Sequence, residues 1–162
     1  MNERWVLNAS PLIGLGRIDQ TDLLLQLAEA IVIPRAVADE ILAGPADDGA
    51  RRALAKLESG IVHAAASPEI LAWDLGAGET DVLSYALAND GWTAVIDDAI
   101  ARKCARSFSL RTKGTLSIVI SAKQRDLIPS AADVLRQLLR AGFHLADETI
   151  REALRRTVGE SW

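Results

Sequence analysis

Five short apolar, β-branched runs punctuate the chain: "WVLNA" (5–9), "AIVIP" (30–34), "GIVHAA" (60–65), "TAVID" (93–97) and, more weakly, "LRTKG" (110–114). Each has the length and residue types of a strand. Between them, apolar positions recur at helical spacing over 10–27, which divides best into two short helices, and over 35–43, 48–58, 79–89, 98–108 and 115–124. Strands alternating with helices predict parallel pairing and a sheet covered on both faces. Two further helical patterns, about 130–141 and 147–157, follow "LIPSAAD". No repeat, low-complexity tract or linker interrupts the pattern. It predicts a single domain over 1–162: a three-layer α/β/α fold with a parallel four- to five-stranded sheet and a C-terminal helical pair.

Composition agrees with a folded core. A hydrophobic fraction of 49% is incompatible with intrinsic disorder, and 162 residues suit one core. No apolar stretch approaches the roughly 18 residues of a membrane span, and "MNERWVLNAS" lacks the basic-then-apolar order of a signal peptide. A cytoplasmic protein is expected. The lone cysteine, Cys104, sits on a helical pattern beside Ala101 and Ala105 and reads as a small core residue.

Candidate chemistry enters with the acids. In open parallel sheets, ligands sit outside the carboxyl ends of the strands. Asn8 ends the first predicted strand, just before Ser10 and Pro11. Glu40 borders the apolar stripe of Val37 and Ile41 in the helix after the second. Glu79 follows the glycine-rich "LGAGE" and shares a helix face with Val82, Leu83 and Ala86, whereas Asp81 is out of phase. Asp97 and Asp98 end the fourth strand. Four elements thus send a carboxylate or an amide towards one sheet edge. Clustered acids repel, and burying them uncompensated is costly. A divalent cation relieves that cost, and an all-oxygen set favours Mg²⁺ or Mn²⁺ over zinc. Such ions serve phosphodiester hydrolysis.

Charge distribution adds a partner. The net charge is −4, yet Arg102, Lys103, Arg106, Arg111, Lys113, Lys123 and Arg125 lie between residues 102 and 125 with no acid among them. Local sign decides where a polyanion docks, so Arg102, Lys103, Arg106 and Lys113 are candidate nucleic-acid contacts. Arg102, one helical turn beyond Asp98, is placed to hold a backbone phosphate near the metal.

The ordered blocks "VLNASPLIGLGRI", "VIPRAVADEIL", "LGAGETDVLSYAL", "AVIDDAIARKCA" and "KGTLSIVISAKQRDLIPS" resemble PIN-domain ribonucleases, nearest to a VapC-like toxin branch. The likeness spans most of the chain, including the ending "LLRAGFHLADETIREAL". It implies a PIN-like fold and a metal-dependent RNA nuclease, the toxin of a type II toxin–antitoxin pair, neutralised by a cognate antitoxin protein. Carried over by position, the acidic site is Asn8, Glu40, Glu79 and Asp98, with Asp97 beside it and Ser10 supporting the first strand end. The metal would be held by Asn8, Glu79, Asp97 and Asp98. Asn8 departs from the family's general pattern, which has Asp there, although proteins resembling this branch can have Asn. An amide offers a metal one oxygen and no charge.

Each residue taken singly has a plainer reading. Asp98 can be only a helix N-cap, Glu79 a first-turn acid favoured by the helix dipole, Glu40 a surface acid facing Arg35 or Arg51, and Ser10 the start of a helix with Pro11. Their joint position at one sheet edge favours the site. His63 and His144 have no partner at metal-ligand spacing and read as structural. Trp5, Trp73, Trp92 and Trp162 are scattered and form no visible stacking platform. A catalytically weak PIN-like module that binds nucleic acid or protein is the alternative to the nuclease. A phosphoryl-transfer receiver or phosphatase ranks last, since it requires an Asp where the chain has Asn8. The leucines at 23, 24, 25, 27, 135, 138 and 139 suggest a homodimer.

Overall fold

The computed structural model describes residues 3–46 and 48–162. Five strands, β1 (Glu3–Leu7), β2 (Ala28–Pro34), β3 (Ile61–Val62), β4 (Trp92–Val95) and β5 (Thr112–Lys113), form one sheet in the order β3-β2-β1-β4-β5. Every pairing is parallel, with Trp5 opposite Ile31 on one side and Thr93 on the other. Parallel neighbours cannot be joined by a hairpin, so helices fill every crossover. They are α1 (Ala9–Arg17), α2 (Asp22–Leu27), α3 (Arg35–Ala43), α4 (Asp48–Lys56), α5 (Pro68–Leu71), α6 (Ala77–Ala88) and α7 (Ala99–Ser107). After β5 come α8 (Thr115–Gln124), α9 (Ala131–Arg140) and α10 (Asp147–Thr157). This is the expected three-layer α/β/α arrangement.

The sheet was read correctly in number and direction but not in extent. β1 begins two residues earlier than the apolar run and stops at Leu7, because Asn8 is the N-cap of α1. β3 keeps only two residues of its predicted six, having one neighbour to pair with. α5 follows Ser67 with Pro68 at its start, the turn chemistry of a helix beginning, but four residues are too few for periodicity to reveal.

β1 is the middle strand, and Trp5, Val6 and Leu7 are buried at the centre of the core. The core takes in Leu23, Leu24, Leu27, Leu135 and Leu138, with Leu139 packed against it, while Leu25 stays half exposed. Cys104 is buried. Two glycines set the tilt of α1. A Cβ on Gly16 would stand 2.6 Å from the Gly49 carbonyl oxygen, and one on Gly49 would stand 2.5 Å from that of Gly16. The helices α1 and α4 therefore cross backbone to backbone. At the end of the chain, the Glu160 carboxylate accepts bonds from the N–H groups of Ala131 and Ala132 and the Ser130 hydroxyl, capping α9 from outside. No described helix is long and apolar enough to cross a membrane.

Candidate active site

Strand order reverses at β1: the chain passes from β1 to β2 and β3 on one side, then returns to β4 and β5 on the other. A crevice at such a switch point is where open α/β sheets bind ligands. Residues just past the two central strands enter it, Asn8 directly behind β1 and Asp97 two positions behind β4. The crevice is a cavity of about 370 Å³. Asn8, Ser10, Glu40, Glu79 and Asp97 line it, and Phe143 and His144 of the α9–α10 turn close its far side.

Asn8 is an N-cap residue whose side chain makes no cap bond. Its backbone N–H donates to the Val95 carbonyl at 3.0 Å, locking the ends of β1 and β4 together. Its amide nitrogen instead donates to Glu79 Oε1 at 3.1 Å. The amide oxygen is left buried with no partner among the described residues, in a residue only 3% exposed. An unpaired buried acceptor costs about 1–3 kcal/mol, a cost that water or a ligand in the cavity Asn8 lines would relieve. Gly78 shows where. A Cβ there would lie 3.0 Å from Asn8 Oδ1 and 2.9 Å from Glu40 Oε2, so two acceptor oxygens face one small space kept clear by the missing side chain. Burial, and then the nearby Glu79 charge, raise the Glu40 carboxyl above the ordinary carboxylate range.

The adjacent aspartates divide the work. Asp98 is the N-cap of α7, and its Oδ2 accepts the Ala101 N–H at 2.8 Å. Its exposed side chain lies in a neighbouring cavity of about 410 Å³, which also has Glu79 in its wall. Asp97 faces the main cavity. Its Oδ2 accepts the hydroxyls of Ser10 at 2.9 Å and Thr115 at 2.7 Å, and its Oδ1 accepts the Thr115 N–H at 2.8 Å. Asp97 thus caps α8 from the loop after β4, in place of Gly114, which has no side chain to do so. Gly114 also leaves room for Arg102: a Cβ there would lie 3.1 Å from Asp97 Oδ1 and 3.2 Å from Arg102 Nη1.

The structure therefore gathers Asn8, Ser10, Glu40, Glu79 and Asp97 with Arg102 close by, and sets Asp98 one cavity away. Lys103 and Arg106 are exposed on α7. Lys113 is not brought to this cavity: its ammonium pairs with Glu3 at 2.9 Å and lies over the Trp5 ring. His63 is exposed after β3, while His144 stands at the cavity wall. Thr115 was missed in the sequence, where only the glycine before a helical run hinted at a helix start needing an outside cap. Arg17 was missed too; it lines the cavity and donates to the Ala141 carbonyl at 3.0 Å, holding the α9–α10 turn.

The donor set suits a hard cation in part. Among the described residues, no three His, Cys, Asp or Glu side chains converge at metal-holding distance. An ion here needs the Asn8 amide oxygen and water beside Glu40 and Glu79. Mg²⁺ accepts such a set, since it keeps several waters and needs only one or two carboxylates.

A doubly wound parallel sheet with an acidic crevice at its switch point defines the class, and comparison with protein families makes it specific. Residues 4–159 match the family described as a PIN domain. The chain belongs to the PIN-domain family, whose members are generally nucleases using divalent metal ions. No curated protein matches the chain in sequence.

Proposed function

We propose that this chain is a Mg²⁺- or Mn²⁺-dependent endoribonuclease of the VapC-like toxin branch, acting in the cytoplasm and held in check by a cognate antitoxin. The observation that carries the catalytic reading is Asn8 Oδ1, a buried acceptor without a donor, facing Glu40 across the space that Gly78 leaves open. The toxin and antitoxin assignments rest on the resemblance of the sequence blocks. A homodimer would have Leu25, 48% exposed, as an apolar anchor.

Glu40, Glu79 and Asn8 Oδ1 would hold the cation. When bound, it would polarise a water and offset the charge that develops on the phosphate. Asn8 Nδ2 keeps Glu79 Oε1 in place by its hydrogen bond. Ser10 and Thr115 fix the Asp97 carboxylate through three bonds, so this acid neither rotates away nor needs a counter-ion of its own. Arg102, whose Nη1 borders the space at Gly114 that Asp97 Oδ1 also borders, would hold a backbone phosphate, with Lys103 and Arg106 further along α7. Asp98 serves from the adjoining cavity.

One observation favours the weaker, binding-module reading: the Asn8 amide already occupies one Glu79 oxygen. The test is cleavage of RNA by the purified protein across a Mg²⁺ and Mn²⁺ titration, with Glu79→Ala alongside. Cleavage should need the metal and fall at least about 100-fold in the variant, with Tm within a few °C of the parent. A variant cutting at the parental rate removes Glu79 from the site. A parent that binds RNA without cutting it at any metal concentration replaces the nuclease with the binding module.

A further inference from the structure

The cavity holding Asp98 has a composition that the acidic crevice lacks. Trp73 and Leu75, from the segment between α5 and α6, form its walls with Ile100 of α7, an isoleucine 60% exposed. Its polar lining is acidic, with Asp74, Glu79 and Asp98, and among the described residues no basic side chain lines it. Glu79 belongs to both cavities. Its Oε1 accepts from Asn8, and its Oε2 lies against Gly76, where a Cβ would stand 2.5 Å away.

A phosphate has no place among these carboxylates. A neutral, flat, apolar-faced group whose edge carries N–H donors does, and single-stranded RNA offers one with each unpaired base. We propose that this cavity is a nucleobase subsite: a base next to the phosphate in the acidic crevice stacks on Trp73, and Asp98 reads its donor edge. Guanine fits best, because its N1–H and N2–H₂ present two adjacent donors to one carboxylate. Asp98 is pre-set for this by the Ala101 N–H, which fixes Oδ2 and the side-chain rotamer. Ile100, an exposed apolar side chain in the wall of the same cavity, adds apolar surface for the base.

The ligand class rests on the nuclease reading, so the test reads binding and cleavage separately. Two short single-stranded RNAs, uridine throughout except for a central guanine in one, are titrated by fluorescence anisotropy with and without Mg²⁺, and a gel reports cleavage. The parent should prefer the guanine RNA. Stacking of one base is worth about 1–3 kcal/mol, so Trp73→Ala should weaken guanine-RNA binding about 5- to 150-fold, while Trp73→Phe keeps most of it. Asp98→Asn keeps the α7 cap, since Asn caps as well as Asp; it should erase the guanine preference, bringing the affinity for the guanine RNA down to that for the uridine RNA. If Trp73→Ala does not fold, Trp73→Leu supplies an apolar side chain without a ring. Parental affinity in the ring-less variant, or no guanine preference in the parent, overturns the subsite. These binding results without any cleavage would leave the subsite standing and remove the nuclease.

Discussion

Glu3 and Glu40 lie at opposite ends of the central strands, and their surroundings differ in one respect. Around Glu3, the Lys113 ammonium and the Thr93 hydroxyl complete the carboxylate, and although burial opposes it, these bonds bring the Glu3 carboxyl below its ordinary range. Around Glu40 there is burial and a second carboxylate, and the shift runs upward. The first acid is finished by the fold. The second is left unfinished, next to an amide oxygen that also lacks a donor. Acidification should therefore remove stability at Glu3 as pH falls through its lowered value, and restore some at Glu40, whose charged form is the disfavoured one.

Asn8→Asp would sharpen this contrast most. The change is nearly isosteric but exchanges the Asn8–Glu79 hydrogen bond for a second charge, so the metal-free protein should lose about 1–3 kcal/mol. Added Mg²⁺ should restore it, bind more tightly by calorimetry, and raise cleavage. A variant whose melting temperature ignores Mg²⁺ would mean that the carboxyl end of the sheet is not built for a cation.

Next in size is Thr115→Val, which keeps the volume of a fully buried residue and deletes one of the three bonds to Asp97. A hydrogen bond to a charged group contributes about 1.5–3 kcal/mol, so urea unfolding should show a loss in that range, with cleavage reduced as Asp97 loosens. Equal stability would show that Ser10 and the Thr115 N–H suffice.

The smallest effects have opposite signs and test the two glutamates directly. Lys113→Met should cost about 1 kcal/mol or less, since a third of the Glu3 side chain remains in water, and RNA binding should not change. Glu40→Gln should raise the melting temperature at neutral pH by a few °C at most while ending metal-dependent cleavage. A loss of stability in Glu40→Gln would make Glu40 another finished acid like Glu3.

The strands and their parallel direction were legible because apolar runs alternate with helical patterns. Where each strand stops was not, since that depends on neighbours: β3 pairs only with β2, and Asn8 leaves β1 to start a helix. The acids were legible as a set, through the strand-end rule. Which of Asp97 and Asp98 faces the crevice was not, because neighbouring residues at a strand exit point apart and the sequence treats them alike. Where Lys113 turns was not legible for a similar reason. A run of like charges conceals that one member lies in a strand and turns to Glu3, while Arg102, on a helix, brings its Nη1 to the space beside Gly114.

The crossing of α1 and α4 at Gly16 and Gly49 has a bearing on how mutations in this protein would be interpreted. Ser10 rides on the first turn of α1 and Asn8 caps it, so the spacing of two helices, set by two absent side chains, decides where the first strand's polar groups stand. In an activity-scored scan of all substitutions, Gly49 would register among the acids, although it is not among the residues lining the acidic crevice. Such a position is a gauge of assembly, and its intolerance would measure the thickness of a backbone, not the chemistry of a site.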